Sequence, residues 1–179
     1  NHLNQKQREL VFGTLLGDGC VRYFGSGAQY PKLTMTHGST QKGYIEWKSE
    51  LLEPFVSTTP RSYEGVSGAF TLHTFSHPDF IWYREVFYPD DVKVIPEDLS
   101  LLTPFALMVL FCDDGHVSDD CKSKSGTIAT HSFTFEDCNR LSDYLNTTYD
   151  IGSKIMTHED KKRGKIYPQL TFRSESSQV

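Results

Sequence analysis

Apolar and polar residues alternate along the chain in two periods, one typical of helices and one typical of strands. Residues 6–18 carry apolar side chains at helical spacing, and Gly19 is expected to end this helix in a left-handed turn. Residues 20–25 and 32–37 alternate in the manner of two paired strands. The further elements predicted in this half are a helix that Ser39 caps and Pro54 ends, strands at 61–65 and 68–75, and a helix over 77–88.

The second half of the chain repeats this order of elements. Thr103 is expected to cap a helix that has Pro104 at its first position and runs to Asp114. The copy predicts one further helix after its last strand, where the sequence stops at Val179. The elements between are predicted to be strands at 116–121 and 126–131, a long helix over 132–149, and strands at 151–158 and 165–173.

Three pairs of short motifs support the repeat. The residues that pair, at separations of 96, 94 and 97 residues, are Asp18 with Asp114, His37 with His131, and Phe75 with Phe172. Three matches in one order at nearly one offset are hard to obtain by chance. We therefore predict two copies of one unit, residues 1–98 and 99–179. The predicted fold class is α+β, with two antiparallel sheets that are each covered on one face by helices.

Composition narrows the class of protein before any site is considered. With 37% hydrophobic residues, 23% charged residues and no apolar run long enough to span a bilayer, the chain is typical of globular proteins without a membrane partner. The four cysteines show no paired metal-type spacing, which favours free thiols in an intracellular compartment; a mitochondrion or a chloroplast would also fit. The net charge of −5 argues against a nucleic-acid partner, although lysine and arginine concentrate in predicted strands while acids gather in helices.

Two aspartates, Asp18 and Asp114, each end a predicted apolar helix. The small residues Gly13, Gly17 and Ala106 would let these helices approach closely and bring both carboxylates to one joint. A carboxylate at a helix C-terminus is unfavourable because that end carries partial negative charge, and two such carboxylates also repel each other. A divalent cation would neutralise their charges. The alternative is that each aspartate only caps a turn, because Asp-Gly is a common turn dipeptide.

The segments "VFGTLLGDG" (11–19) and "LMVLFCDDG" (107–115) resemble the twin motifs of LAGLIDADG homing endonucleases, in the intron-encoded type that carries both motifs on one chain. The segments "FSHPDF", "KVIP", "LTPFAL" and "THSFTFED" are similar to the same subfamily, so the resemblance covers nearly the whole chain. The first motif departs from the pattern at Phe12 and Gly17, which only approximate its usual small residues. The resemblance implies that the two sheets form a saddle for DNA.

The resemblance further implies a site-specific double-strand DNA endonuclease that hydrolyses phosphodiester bonds with the help of divalent metal. Its metal ligands would be Asp18 and Asp114, with Mg²⁺ as the cofactor and Mn²⁺ as a possible substitute. Asp113 is not expected to bind metal directly. Lys93, in the "KVIP" segment, would be the basic residue that helps the attacking water or the developing charge. The residues alone leave open that Lys93 is an ordinary solvated lysine of the linker.

Contacts with double-stranded DNA are expected from outward-facing side chains of the strands and hairpins, because antiparallel strands can follow the major groove on either side of an active site. The run "DKKRGK" (160–165) would lie at a hairpin tip near the phosphates, or else form a solvated loop. The candidate residues are Arg22, Tyr30, Lys32, Thr34, Lys122, Lys124, Lys154, Lys161, Lys162, Arg163, Lys165 and Arg173.

Other interpretations stay open at the level of sequence. A chain of this family without cleavage activity would bind structured RNA, as an intron maturase or as a structural part of a ribonucleoprotein. The acidic balance favours that alternative, whereas the retained pair of Asp18 and Asp114 favours the endonuclease. His37 and His131 could bind a metal, although histidines at helix entries or in the core are commoner. Because both motifs lie on one chain, we expect a monomer that acts as a pseudo-dimer.

Overall fold

Two four-stranded antiparallel sheets and five α-helices make up the part of the chain that the computed structural model describes, residues 1–57, 61–62, 68–118, 125–162 and 164–173. The helices are α1 (Gln5–Leu16), α2 (Lys42–Leu51), α3 (Ile81–Phe87), α4 (Pro104–Asp114) and α5 (Phe135–Tyr149), and short 3₁₀ turns at Ser39–Gln41 and Pro78–Phe80 precede α2 and α3. The strands are β1 (Cys20–Arg22), β2 (Lys32–Gly38), β3 (Arg61–Ser62), β4 (Ala69–His73), β5 (Gly115–Ser118), β6 (Ser125–Ala129), β7 (Lys154–Asp160) and β8 (Lys165–Arg173).

The two sheets have the same internal order of strands. The order is β1-β2-β4-β3 in the first sheet and β5-β6-β8-β7 in the second, with every neighbouring pair antiparallel. The predicted α+β class with two antiparallel sheets is therefore confirmed. Each sheet lies within one of the predicted halves, and the division between residues 98 and 99 stays a prediction.

Side-chain caps mark the starts of the main helices. Asn4 and Gln7 form a capping box at α1, and Thr103 caps α4 ahead of Pro104, as predicted. Ser39 does not cap a helix with its side chain, because it lies in the 3₁₀ turn that leads into α2. None of the described helices combines the length and apolar character that crossing a bilayer requires.

The end of α1 differs from the prediction. The helix ends at Leu16, and Gly19 does not take a left-handed conformation. The amide of Gly19 instead donates to the carbonyl oxygen of Thr14 at 2.8 Å, and a Cβ at Gly19 would lie 2.8 Å from that same oxygen. Glycine is therefore required here by the close approach of the backbone to the helix end.

Helices α1 and α4 pack against each other along a seam of small residues. A Cβ at Gly13 would lie 2.3 Å from the carbonyl oxygen of Ala106, and a Cβ at Gly17 would lie 2.6 Å from the Cβ of Asp113. Contacts this short leave no room for any side chain at either glycine. The close helix approach expected from the small residues is confirmed, and it places the C-terminal ends of both helices side by side.

Each sheet has a buried face and an opposite face that we call the open face. Leu33, Met35 and Leu72 of the first sheet and Ile128 and Leu170 of the second are buried in the hydrophobic core. Because successive strand side chains point to opposite sides, the residues between them line the open face. The open face includes Cys20, Arg22, Lys32, Thr34, Thr36, Thr71 and His73 in the first sheet, and His116, Ser118, Ser125, Thr127, Ala129, Lys154, Met156, His158, Asp160, Lys165, Tyr167, Gln169 and Thr171 in the second.

Strand register corrects two of the three equivalences inferred from the sequence repeat. Phe172 corresponds to Thr74 and not to Phe75, because Thr34 pairs with His73 where Thr127 pairs with Thr171.

The other correction concerns His37. Thr34 pairs with Cys20 and Thr127 pairs with His116, and both partners directly follow the Asp-Gly pair of their motif. Thr34 and Thr127 therefore hold the same place in their sheets. Three residues further on, His37 therefore corresponds to Thr130 and not to His131. A slip of one residue turns a strand side chain to the other face. Accordingly His37 is buried, whereas His131 is only half-buried.

Candidate active site

The two aspartates singled out in the sequence lie at the joined ends of α1 and α4. Asp18 follows Gly17, the C-cap of α1, and Asp114 is the last residue of α4. Burial and the charge of Asp113 raise the pKa of Asp18. Burial and the charge of Asp18 raise the pKa of Asp114 to about 6. The carboxylate of Asp18 is therefore close enough to Asp114 to oppose its ionisation, as expected for acids that share one joint.

A buried ion pair lies beside these carboxylates. Lys48 and Asp113 have no exposed side-chain surface, and Nζ of Lys48 donates to both carboxylate oxygens of Asp113 at 2.7 and 2.9 Å. Burial lowers the pKa of Lys48, and the charge of Asp113 works against that shift. Because a buried charge without a partner is strongly unfavourable, the pair fixes α2 against the end of α4. Sequence reasoning missed Lys48, since only tertiary packing brings the middle of α2 to the motif.

His37 connects the ion pair to Asp18. Its Nε2 lies 3.3 Å from Nζ of Lys48, and its Nδ1 lies 3.5 Å from Oδ2 of Asp18. The ring of Tyr44 packs against it at a centroid distance of 5.2 Å. Burial first, and then the charge of Lys48, lower the pKa of His37, so the imidazole is neutral at pH 7. The sequence repeat singled out His37, but only the fold shows that it contacts the site.

Two sets of residues could hold a divalent cation. Asp18, His37 and Asp113 each place one possible ligand atom within 4.8 Å of the others. A cation there would have to displace Lys48, which donates to both oxygens of Asp113. Asp18 and Asp114, in contrast, accept no hydrogen bond within the described residues, and free carboxylate oxygens suit Mg²⁺ or Mn²⁺. The second set therefore fits a metal better, and its assignment stays a prediction.

Lys93 contacts the backbone on both sides of Asp18. Its Nζ donates to the carbonyl oxygens of Gly17 at 2.7 Å and of Gly19 at 3.1 Å. Burial lowers the pKa of Lys93, and the nearby carboxylate of Asp114 opposes that shift. Lys93 thus lies at the joint between the two helix ends, where the family resemblance placed it. It is not an ordinary solvated lysine of the linker.

The first sheet presents two basic residues side by side on its open face. Arg22 of β1 pairs with Lys32 of β2, and both lie against the ring of Phe24, at 5.4 and 4.1 Å from its centroid. Beside them, the hydroxyl of Thr34 forms a 3.0 Å hydrogen bond with Nδ1 of His73. These neighbouring positions form a polar surface that contains three of the predicted DNA contacts.

The other predicted DNA contacts are distributed over both halves. Tyr30 lies half-buried in the connection between β1 and β2. Exposed lysines of the second half lie on β7, on β8 and in the turn between them, at Lys154, Lys165, Lys161 and Lys162. Predictions that lie outside the described residues concern Lys122, Lys124, Arg163 and the side chain of Arg173.

A cluster of rings on the open face of the second sheet was not predicted. His131 stacks on His158 with ring centroids 4.9 Å apart, and Tyr167 lies 5.4 Å from His131. Strand alternation places Tyr167 and His158 on one face. Predicting the contact with His131 would have needed the correct sheet register, and the sequence repeat had placed His131 one residue out of register.

Comparison with known proteins agrees with this arrangement. The profile of the LAGLIDADG DNA endonuclease family matches residues 8–179. The DNA endonuclease I-ChuI of Chlamydomonas applanata is 30% identical, over 98% of this chain and 87% of that protein. The protein RecA of Mycolicibacterium flavescens is also 30% identical over 99% of this chain, but the match spans only 43% of that much longer protein.

Solved structures show the same fold. The homing endonuclease I-WcaI, bound to its DNA recognition sequence, superposes with a TM-score of 0.82 at 24% identity, over 97% of this chain and 77% of its own. I-DmoI, in complex with its target DNA, superposes with a TM-score of 0.54 at 14% identity, over 95% of this chain and 89% of its own. With its two motifs at paired helix ends and a family profile that matches nearly its whole length, this chain belongs to the LAGLIDADG DNA endonuclease family.

Proposed function

We propose that this chain is a site-specific endonuclease that cleaves double-stranded DNA at a site formed by Asp18 and Asp114 with bound Mg²⁺ or Mn²⁺. The observation that carries the proposal is the pairing of two helix ends that each present a carboxylate, at a seam that Gly13 and Gly17 make possible. Folding gains nothing from two acids that repel each other. The structure of I-DmoI with its target DNA was solved in the presence of manganese, which agrees with a divalent metal.

The surrounding residues suit hydrolysis of a phosphodiester. A bound divalent cation would polarise the scissile phosphate and activate an attacking water. Lys48 neutralises Asp113, which leaves Asp18 and Asp114 as the carboxylates that face a ligand. Lys93 holds the backbone on both sides of Asp18 and adds a positive charge where the phosphate gains negative charge in the transition state.

The open faces of the two sheets are the surfaces that would read DNA. Arg22 and Lys32 place two positive charges beside Thr34, so phosphate and base contacts are available within one patch. Lys161 and Lys162 are exposed in a turn of the second sheet and suit phosphate contacts. The homing endonuclease I-WcaI, which shares the fold, was solved bound to its DNA recognition sequence.

The test is the variant Asp114→Asn, which removes a ligand charge and keeps the side-chain shape. Duplexes are first selected by cleavage with the wild-type protein from a randomised library in Mg²⁺. On a selected duplex we expect the variant to lose detectable cleavage and to keep its affinity in a gel shift with Ca²⁺. Phosphate and base contacts come from the sheets, so binding is separable from metal chemistry.

A matched control is Asp143→Asn, an exposed aspartate of α5 on the outside of the fold. It should cleave and bind as the wild type does. If the wild-type protein cleaves and binds no duplex but binds a structured RNA, the endonuclease proposal is wrong and the RNA-binding alternative takes its place.

A further inference from the structure

We infer that His37 is a positioning residue that holds the carboxylate of Asp18 in place, and that the Lys48–Asp113 ion pair sets the tautomer of His37 for this task. The role of Asp18 as a metal ligand rests on the proposed function. The tautomer of His37 does not, because it follows from hydrogen-bond geometry in the protein without metal or DNA.

The hydrogen bonds of Lys48 determine which ring nitrogen of His37 carries a proton. An ammonium group has three donors and no acceptor. Two of these donors face Oδ1 and Oδ2 of Asp113 at 2.7 and 2.9 Å, and the third faces Nε2 of His37 at 3.3 Å. Nε2 must therefore be the acceptor, and a neutral imidazole then carries its proton on Nδ1.

Nδ1 of His37 is directed at Asp18. The nitrogen is buried and has no hydrogen-bond partner among the described residues, and Oδ2 of Asp18 lies 3.5 Å away. A typical N–H···O hydrogen bond is about 2.9 Å long, so a carboxylate shift of roughly half an ångström completes it. One oxygen of Asp18 would then be held by the protein, and the other would remain for a ligand.

We call the contacts that run from Asp113 through Lys48 to His37 the relay. The relay is rigid because it joins three elements of the fold. His37 belongs to β2, Lys48 to α2 and Asp113 to α4, and all three side chains are buried. The ring of Tyr44 closes the cluster on one side, with its centroid 4.6 Å from Nζ of Lys48. Groups that fix a metal ligand in this way commonly change metal affinity or activity by about 10- to 100-fold when they are removed.

The second aspartate has no such support. Asp114 accepts no hydrogen bond within the described residues. The residue that corresponds to His37 by sheet register is Thr130, and its hydroxyl donates to the carbonyl oxygen of Pro168 at 2.9 Å. The two halves of the site are therefore unequal, with one carboxylate held by a donor and the other left free.

The first test determines the tautomer directly. Nitrogen-15 shifts of the histidine rings, measured by NMR in the metal-free wild-type protein at pH 7.5, distinguish protonated from unprotonated ring nitrogens. We expect His37 to show a protonated Nδ1 and an unprotonated Nε2. A protonated Nε2 would overturn the inference, and this result does not depend on whether the protein cleaves DNA.

The second test separates positioning from packing. His37→Asn keeps an amide N–H close to the place of Nδ1, whereas His37→Leu keeps apolar bulk without a donor. We expect His37→Leu to raise the Mg²⁺ concentration for half-maximal cleavage by about 10- to 100-fold and to leave the affinity for DNA in a gel shift unchanged. His37→Asn should stay near the wild-type value. Equal metal requirements in both variants, with only their melting temperatures lowered, would contradict a positioning role.

A third variant removes the relay without leaving a buried charge. Lys48→Met with Asp113→Leu replaces the ion pair by apolar groups, an exchange that proteins often tolerate. His37 should then lose its preference for the Nδ1–H tautomer, and the metal requirement should rise as in His37→Leu. An unchanged tautomer and an unchanged metal requirement in this folded double variant would overturn the role of Lys48. If wild-type protein shows no cleavage, the proposed function fails while the tautomer result stands.

Discussion

Asp114 is a residue whose charged form the fold disfavours. Burial is the main cause, and the charges of Asp18 and Asp113 add to it, which together raise the pKa of Asp114 to about 6. Lys93 and Lys48 reduce the shift but do not reverse it. In the proposed function Asp114 is a metal ligand, and a bound cation would offset this penalty.

The stability of the fold should depend on pH through the ionisation of Asp114. The native pKa of Asp114 lies above that of the unfolded chain, so protonation favours the native state below about pH 4 and this contribution is lost as pH rises through about 6. In metal-free buffer, Asp114→Asn should therefore melt at a higher temperature than wild type at pH 7.5. The difference should shrink as the pH falls towards 4. Thermal melts of both proteins at several pH values measure it; a difference that grows on acidification would contradict the assignment.

The residues of the site were predictable to different degrees. Asp18, Asp114 and Lys93 came from motif positions that are local in sequence, and the fold places all three at one joint. Lys48 and the contact of His37 with Asp18 were not predictable, because they depend on how α2 packs against α4. No local pattern marks a lysine that will be buried, since lysine is ordinarily an exposed residue.

The seam between α1 and α4 is the element on which the site depends. Gly13 and Gly17 have no room for a methyl group against the facing helix, so the distance between the two helix ends is set by backbone contact. Capping signals such as Thr103 and Pro104 were readable because they act within one turn. The end of α1 and the strand register were not, because both depend on contacts with residues outside the element.

A prediction at this scale concerns the seam glycines. In Gly13→Ala the new methyl group would clash with the carbonyl oxygen of Ala106. We expect this overpacking to destabilise the fold by about 1–3 kcal/mol. Gly43→Ala is the control, because Gly43 lies in α2 with no atom near its missing Cβ. The control should be neutral or more stable by up to about 1 kcal/mol. Denaturant unfolding gives both values, and equal values for the two variants would show that the seam does not limit the approach.

At the scale of the whole molecule, two similar sheets carry different side chains on their open faces. By sheet register, Arg22, Lys32 and His73 of the first sheet correspond to Ser118, Ser125 and Thr171 of the second. The second sheet instead carries a ring cluster that includes His158 and Tyr167. Two unlike surfaces joined at one site suit a target sequence whose two halves differ. This inequality argues against a palindromic target.

We therefore predict that one protein molecule binds one duplex of roughly twenty base pairs, about one helical turn for each half. Base changes in one half of a selected target should weaken binding by about 1–3 kcal/mol per pair, and variants of the matching sheet alone should alter that preference. Analytical ultracentrifugation of the complex gives its composition. Two protein molecules on one duplex would contradict the prediction.

The register of the sheets also shows where the two halves differ in length. Fourteen residues separate Cys20 from its partner Thr34, whereas eleven separate His116 from Thr127. Thirty-nine separate Thr34 from His73, and forty-four separate Thr127 from Thr171. The first difference falls in the connection between β1 and β2, and the second falls in the connection that contains the helix, where α5 has 15 residues and α2 has 10. The glycine seam lies outside both connections. For an engineer, these connections are the segments to lengthen or exchange when retargeting the protein, and the seam is the part to leave untouched.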